Sequence, residues 1–291
     1  MGLGIPDWAV LALALLAEAL VLFALFRWQR RRPRESPNER WWLPLSVFAL
    51  IAVVSLASVY AALRRTTPSP YSPVAHWTFL ASYGDRVIDL VGGYAGKLFS
   101  PQWRTTTEHF SGNVLLHFDG EKTFIAVPPT RALEFQGAFT IAAWLRPESN
   151  RARQILFQRA DEHDFRKAPV TVYTPWGEGR LGLVLSDGQK RVGFLSDRAI
   201  RAKAWQHIAV TYEEGRIRFY IDGELAGERT TRWRPPQLPP GPIYIGMGRV
   251  GEEGFYPFQG ELESLTIYHR ALTQTEIEKL SRRLPFSAAA Q

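Results

Sequence analysis

The stretch His207-Ile208-Ala209-Val210-Thr211-Tyr212-Glu213-Glu214-Gly215-Arg216-Ile217-Arg218-Phe219-Tyr220-Ile221-Asp222-Gly223 decides the fold of this chain. Ile208, Val210 and Tyr212 alternate with their neighbours, Glu214-Gly215 supplies a two-residue turn, and Ile217, Phe219 and Ile221 resume the alternation before Asp222-Gly223 turns again. A period of two closed by a tight turn predicts a half-buried hairpin, because successive strand side chains point to opposite faces.

Working outward, the same kind of pattern recurs at short intervals. Phe139 to Leu145, Gln154 to Gln158, Val170 to Tyr173, Leu181 to Leu185 and Arg191 to Leu195 read as further strands separated by Gly- and Pro-bearing turns. Many short strands with almost no helix predict a two-sheet sandwich or jelly roll. One helix closes the domain: Thr273-Gln274-Thr275-Glu276 is a capping box, followed by Ile277, Leu280 and Leu284 at helical spacing.

The chain begins differently. Apolar runs from Trp8 to Phe26 and from Leu43 to Leu63 bracket an arginine-rich loop over residues 27–42. As helices they would be roughly 28 and 31 Å long, enough to cross a hydrocarbon core of about 30 Å. The loop carries Arg27, Arg30, Arg31, Arg32, Arg34 and Arg40, against Arg64 and Arg65 beyond the second run. Short basic loops stay in the cytoplasm, which predicts an outside N-terminus and an outside C-terminal domain. The first run has Asp7 before it and arginines after it, the reverse of a cleaved signal peptide. Glu18 falls at mid-bilayer depth near Ser55 of the returning run, so an intramembrane polar contact between them is expected. Residues 1–65 are thus read as a transmembrane hairpin, 66–74 as a Pro-rich linker, 75–285 as the sandwich and 286–291 as a tail.

The full chain has 35 basic and 28 acidic residues and a formal net charge of +7. Residues 1–65 hold eight basic and four acidic residues, leaving 27 against 24 for the remainder. The excess is largely a topology signal, and nucleic acid is not expected as a partner. Cysteine is absent, which excludes thiolate metal sites, cysteine nucleophiles and disulfides.

Seven segments carry a family resemblance in order: Val74-Ala75-His76-Trp77-Thr78-Phe79, Leu116-His117-Phe118-Asp119-Gly120, Phe139-Thr140-Ile141-Ala142-Ala143-Trp144-Leu145-Arg146-Pro147, Trp205-Gln206-His207-Ile208-Ala209-Val210-Thr211-Tyr212, Phe219-Tyr220-Ile221-Asp222-Gly223, Ile245-Gly246 and Phe258-Gln259-Gly260-Glu261-Leu262-Glu263. The domain resembles the laminin-G-like, concanavalin A-like jelly roll. The resemblance implies two antiparallel sheets and, in many members, calcium at one rim beside a sugar or protein ligand. Here the usual Asp- and Asn-rich turn reads Asp89-Leu90-Val91-Gly92-Gly93-Tyr94-Ala95-Gly96, and Asp119-Gly120 is followed by Glu121-Lys122-Thr123. Calcium wants six to eight oxygens, so Asp89, Asp119 and Glu263 are the surviving contributors to a depleted site. Asp89 and Asp119 equally suit the holding of turns.

Enzymatic chemistry is not expected. Glycoside hydrolysis needs two opposed carboxylates, and the Glu-x-Asp-x-x-Glu signature of hydrolases of this shape is absent, with only Glu261 and Glu263 close together on a strand. Asp161-Glu162-His163-Asp164 reads as a charged loop tip, and no His-Glu-x-x-His or nucleophile elbow occurs. Trp176 and Trp233 lie in apparent loops and are the candidate ligand or partner contacts, although a loop tryptophan more often tucks under its own loop.

These readings lead to a non-catalytic accessory or scaffold subunit of a larger membrane assembly, respiratory or photosynthetic. It would contact other membrane subunits and lipid through the hairpin, in a bacterial inner (plasma) membrane with the large domain periplasmic or extracellular. The alternative is a membrane-tethered, lectin-like module binding cell-envelope glycans. No cofactor is expected beyond the depleted calcium site.

Overall fold

The computed structural model describes residues 72–78, 84–106, 113–161, 167–236, 239–248 and 255–282. The chain divides into two units, Met1–Ser72 and Pro73–Gln291, and the architecture below is that of the second. The expected hairpin, with Glu18, Ser55 and Arg27, Arg30, Arg31, Arg32, Arg34 and Arg40, lies outside the described residues. Among the described residues no helix is long and apolar enough to cross a membrane.

Sixteen strands in two antiparallel sheets form the described part of the domain. The first sheet contains β1 (Ala75–Thr78), β4 (Trp103–Thr106), β5 (Asn113–Asp119), β7 (Phe139–Pro147), β12 (Gln206–Glu213), β13 (Arg216–Ile221), β14 (Glu224–Thr230) and β16 (Gln259–Tyr268). Its order is β14-β13-β12-β7-β16-β5-β4, and β1 pairs with the second half of the strand whose first half pairs with β5. The second sheet contains β2 (Arg86–Val87), β3 (Gly96–Phe99), β6 (Phe124–Val127), β8 (Gln154–Arg159), β9 (Val170–Thr174), β10 (Arg180–Ser186), β11 (Arg191–Ala199) and β15 (Ile243–Ile245). Its order is β11-β10-β9-β8-β15-β6-β3-β2.

The hairpin that opened the reading is β12–β13, with Tyr212 opposite Ile217 and Val210 opposite Phe219. Glu214 and Gly215 both take positive φ, 48° and 89°, the twist that suits right-handed strands. Inward-facing positions of both sheets merge into one core: Phe118, Phe139, Val210 and Ile267 from the first meet Ile125, Phe157, Val172 and Leu183 from the second. Helix α1 (Gln274–Arg282) lies on the outer face of the first sheet, where Ile277 and Leu272 cover Ala142, Ala209 and Tyr220. Its capping box is reciprocal, Thr273 N donating to Glu276 Oε2 at 2.8 Å and Glu276 N to Thr273 Oγ1 at 3.4 Å.

The register fixes the two ends of the sandwich. Ala75 lies opposite Ile267 near the end of β16, so the chain joins the domain there, at the Val74 end. Gln259 begins β16 at the other end, where it lies opposite Asp119 of β5. Eight residue steps along a strand separate these levels, roughly 25 Å.

Candidate functional site

The Gln259 end carries a cluster of exposed rings. β9 stops at Thr174 because Pro175 cannot donate to a ladder, and the following turn is closed by Gly177 N donating to Arg151 O at 2.6 Å. This leaves Trp176 59% exposed. Tyr256 is drawn alongside by the bond from Ile155 N to Tyr256 O at 2.9 Å, and its ring meets Trp176 edge-on with centroids 6.3 Å apart. Arg153 lies over the Tyr256 ring, its guanidinium carbon 5.2 Å from the centroid. Phe255, also exposed, adjoins.

Tyr173, the outward residue before that turn, extends the cluster onto the sheet. Its partner on β10 is Gly182, and its ring occupies the space that a side chain there would need. Gly193 on β11 faces the hydroxyl at ordinary contact distance, so the ring lies over bare backbone at Gly182. Burial pushes the Tyr173 phenol above its ordinary value, with the charges of Arg153 and Arg180 opposing. Trp176 and Tyr256, their rings nearly perpendicular, thus form a platform with Arg153 over the tyrosine ring and Tyr173 on the adjoining strand, near enough to feel the Arg153 charge. Such a surface stacks on the apolar face of a ring-shaped ligand while the guanidinium donates to its oxygens.

The residues singled out in the sequence are put to different uses. Trp233 is corrected from a contact to a core residue: it is 7% exposed, packs edge-on against Tyr212 at 5.1 Å, and its carbonyl accepts the Tyr212 hydroxyl at 2.8 Å. Asp89 is buried, and its carboxylate accepts from the backbone of His76, Val91, Gly92 and Tyr94 at 2.7 to 3.2 Å. Asp119 Oδ1 accepts from the backbone of Glu121, Lys122 and Thr123, all at 2.9 Å, which holds its carboxyl down at about 2. Glu263 sits at the bulge in β16, and burial pushes its carboxyl up. These three do not fit a calcium site: two are spent on turns, and among the described residues no three His, Asp or Glu side chains are grouped to hold a metal. Glu261, the neighbour of Glu263, is held at the surface by Arg146 at 2.9 Å and Arg104 at 3.6 Å. Of the Asp161–Asp164 tip, only Asp161 lies within the described residues.

Clefts also lie elsewhere among the described residues. One of about 370 Å³ is edged by Arg198, Arg201, Asp222 and Glu224, whose charges pair with each other across 2.7 and 2.9 Å. Another, about 610 Å³, is at the Val74 end and is lined by Arg131, Glu134, Gln136 and His269.

Sequence reading found Trp176 but missed Tyr173, Tyr256 and Arg153. Gly182, a glycine inside a strand, was a signal for Tyr173 alone, since it marks a close approach from the open face.

Residues 119–278, more than half of the chain, match the model of the Laminin_G_3 family, described as the concanavalin A-like lectin/glucanases superfamily. A neurobeachin homolog of Caenorhabditis elegans is 28% identical over 138 residues, 43% of this chain and 5% of that protein. The chain therefore spans about a twentieth of the length of that curated relative. Domain 4 of an extracellular arabinanase from Geobacillus stearothermophilus, in complex with arabinotriose, superimposes with a TM-score of 0.57 at 17% identity, covering 72% of this chain and 98% of that one. A structure of botulinum neurotoxin type C, whose cell entry is described as dependent upon interaction with two ganglioside molecules, gives a TM-score of 0.57 at 13% identity, covering 75% of this chain and 52% of that one. At these identities the likeness is one of fold.

Proposed function

The chain belongs to the concanavalin A-like lectin/glucanases superfamily, and from that membership we propose that it is a non-catalytic glycan-binding module held at a membrane by its first 65 residues. The carrying observation is the platform of exposed Trp176 and half-buried Tyr256 and Tyr173 with Arg153 beside it. It lies at the Gln259 end of the sandwich, opposite the Val74 end at which the chain enters it. The arabinotriose and gangliosides of the structural relatives support a sugar as the ring-shaped ligand. The anchor reading rests on the apolar runs 8–26 and 43–63 and the arginine loop between them, which also motivate a periplasmic or extracellular domain.

The accessory-subunit expectation has no observation behind it in the fold or among the relatives, and the lectin-like alternative replaces it. The test is a glycan array probed with detergent-solubilised full-length chain, with and without calcium. Binding that is lost in Trp176→Ala and indifferent to calcium is the expected result. A flat array, or binding that Trp176→Ala leaves intact, overturns the reading.

A further inference from the structure

We propose that the Leu90–Val91 turn is a lipid-contact tip, seating the domain against the bilayer surface beside the strand on which the chain joins it; this rests on the anchor reading above. Leu90 and Val91 are 49% and 47% exposed, and among the described residues they are the one adjacent pair of exposed large hydrophobic side chains. Scattered single exposures are ordinary, whereas these two side chains are contiguous on one turn.

The turn cannot readily fold its side chains away. Asp89 grips the backbone N–H groups of Val91, Gly92 and Tyr94. The Tyr94 ring fills the space beside Gly92, Gly93 takes φ +73°, and the Trp77 indole donates to Tyr94 O at 2.9 Å. The same carboxylate also ties the turn to β1 through His76 N at 2.7 Å. The apolar pair is therefore displayed on a rigid support.

Its position names the occupant. Asp89 bridges antiparallel to Trp77, and Leu90 N donates to His76 O at 3.0 Å, so the turn runs back alongside β1 towards Val74. Only eight residues, 64–71, separate the second apolar run from the first described residue, Ser72. Fully extended, the nine steps from Leu63 to Ser72 reach no more than about 30 Å. A bilayer at the end of that run is thus within one short spacer of the strand that carries the tip. Leucine and valine are residues that partition into the headgroup–acyl boundary, as interfacial anchors do.

The chain has no cysteine, so one introduced thiol is a unique label site. Full-length Val91→Cys, and separately Leu90→Cys, would carry an environment-sensitive fluorophore in vesicles of phosphatidylethanolamine and phosphatidylglycerol containing a nitroxide-bearing phospholipid. The control is Lys122→Cys, exposed on the turn after Asp119 at the Gln259 end. Blue-shifted emission and several-fold stronger nitroxide quenching at 90 and 91 than at 122 is the expected result. Equal, weak quenching in chains that float with the vesicles overturns the tip while leaving the anchor standing. Shielding from an aqueous quencher without lipid quenching also overturns it, in favour of a protein occupant. Failure of the chain to float removes the anchor and the tip together.

Discussion

Arg159 and Glu134 form an ion pair sealed inside the Val74 end of the sandwich, with Nη2 2.6 Å from Oε2, Nε 3.3 Å from Oε1 and the guanidinium fully buried. The pair also secures Pro239-Pro240-Gly241, part of a proline-rich stretch too poor in N–H groups to pair as a central strand. Arg159 donates to Pro239 O, and Glu134 Oε1 accepts from Gly241 N at 3.2 Å. Removing one partner leaves the other charge buried and uncompensated. Arg159→Met is expected to cost about 3–5 kcal/mol in urea unfolding. Arg159→Met with Glu134→Leu is expected to recover most of that loss, and a double variant as unstable as the single would show that the hydrogen bonds to the loop dominate.

Trp176 and Trp233 look alike in sequence, both in Pro-flanked loops, and are expected to respond oppositely. Trp176→Ala should leave thermal stability unchanged and weaken glycan binding at least tenfold, the effect of losing about 1.4 kcal/mol or more at an aromatic hot spot. Trp233→Ala should cost about 3–5 kcal/mol of stability, since the ring packs against Tyr212 in the core. Calorimetry and ligand titration on both variants separate the two roles.

Gly182 and Tyr173 are expected to couple. Gly182→Ala puts a methyl group where the Tyr173 ring lies and should cost about 1–3 kcal/mol by overpacking. The same change should weaken ligand binding, because the displaced ring is part of the platform. In a double-mutant cycle with Tyr173→Ala most of the Gly182→Ala cost should vanish; strict additivity would mean that the ring and the glycine do not interact.

What the sequence reveals and what it hides follow one physical division. The β12–β13 hairpin and the α1 cap are legible because Glu214-Gly215 and Thr273-x-x-Glu276 carry their own local geometry. The sheet order is not local: β7 lies between β12 and β16, pairings that no short window contains. The site divides in the same way. Trp176 is visible as an aromatic in a turn, whereas Arg153 and Tyr256 meet only because residues 103 positions apart are brought to one rim by the pairing of β8 and β16 with their neighbours. Asp89 illustrates a third case, a residue whose type suits both metal and turn. The four backbone N–H groups around it, which only the fold supplies, decide for the turn.

Calcium is therefore expected to leave the protein unchanged. A native-state ligand raises stability in proportion to the logarithm of its concentration over its dissociation constant. Thermal melts in chelator and in millimolar calcium should coincide. Asp89→Ala should cost at least about 2 kcal/mol in both, because buried N–H groups lose a charged acceptor. A calcium-dependent rise in the melting temperature that Asp89→Ala abolishes would restore the metal reading.

Acid should destabilise the domain in a window set by buried histidine. His207 packs edge-on to Trp144 at 5.5 Å, and burial lowers its imidazole to about 4 from the ordinary 6.5. Its buried Nδ1 has no hydrogen-bond partner among the described residues, while its backbone N–H donates to Asp222 Oδ1 at 3.0 Å. The unfolded chain therefore binds the proton first. The stability due to the neutral ring is complete above pH 6.5 and lost as pH falls towards 4, about 3 kcal/mol in all. Burial lowers His76, His117 and His269 in the same direction, which steepens the decline. Asp119 and Glu276, held at about 2 by hydrogen bonds, act in a lower window, and both are largely solvent-screened. His207→Phe keeps an aromatic ring beside Trp144 and removes the titrating group. Its melting temperature should fall less between pH 7 and pH 4 than that of the natural chain, and parallel pH profiles would place the acid sensitivity elsewhere.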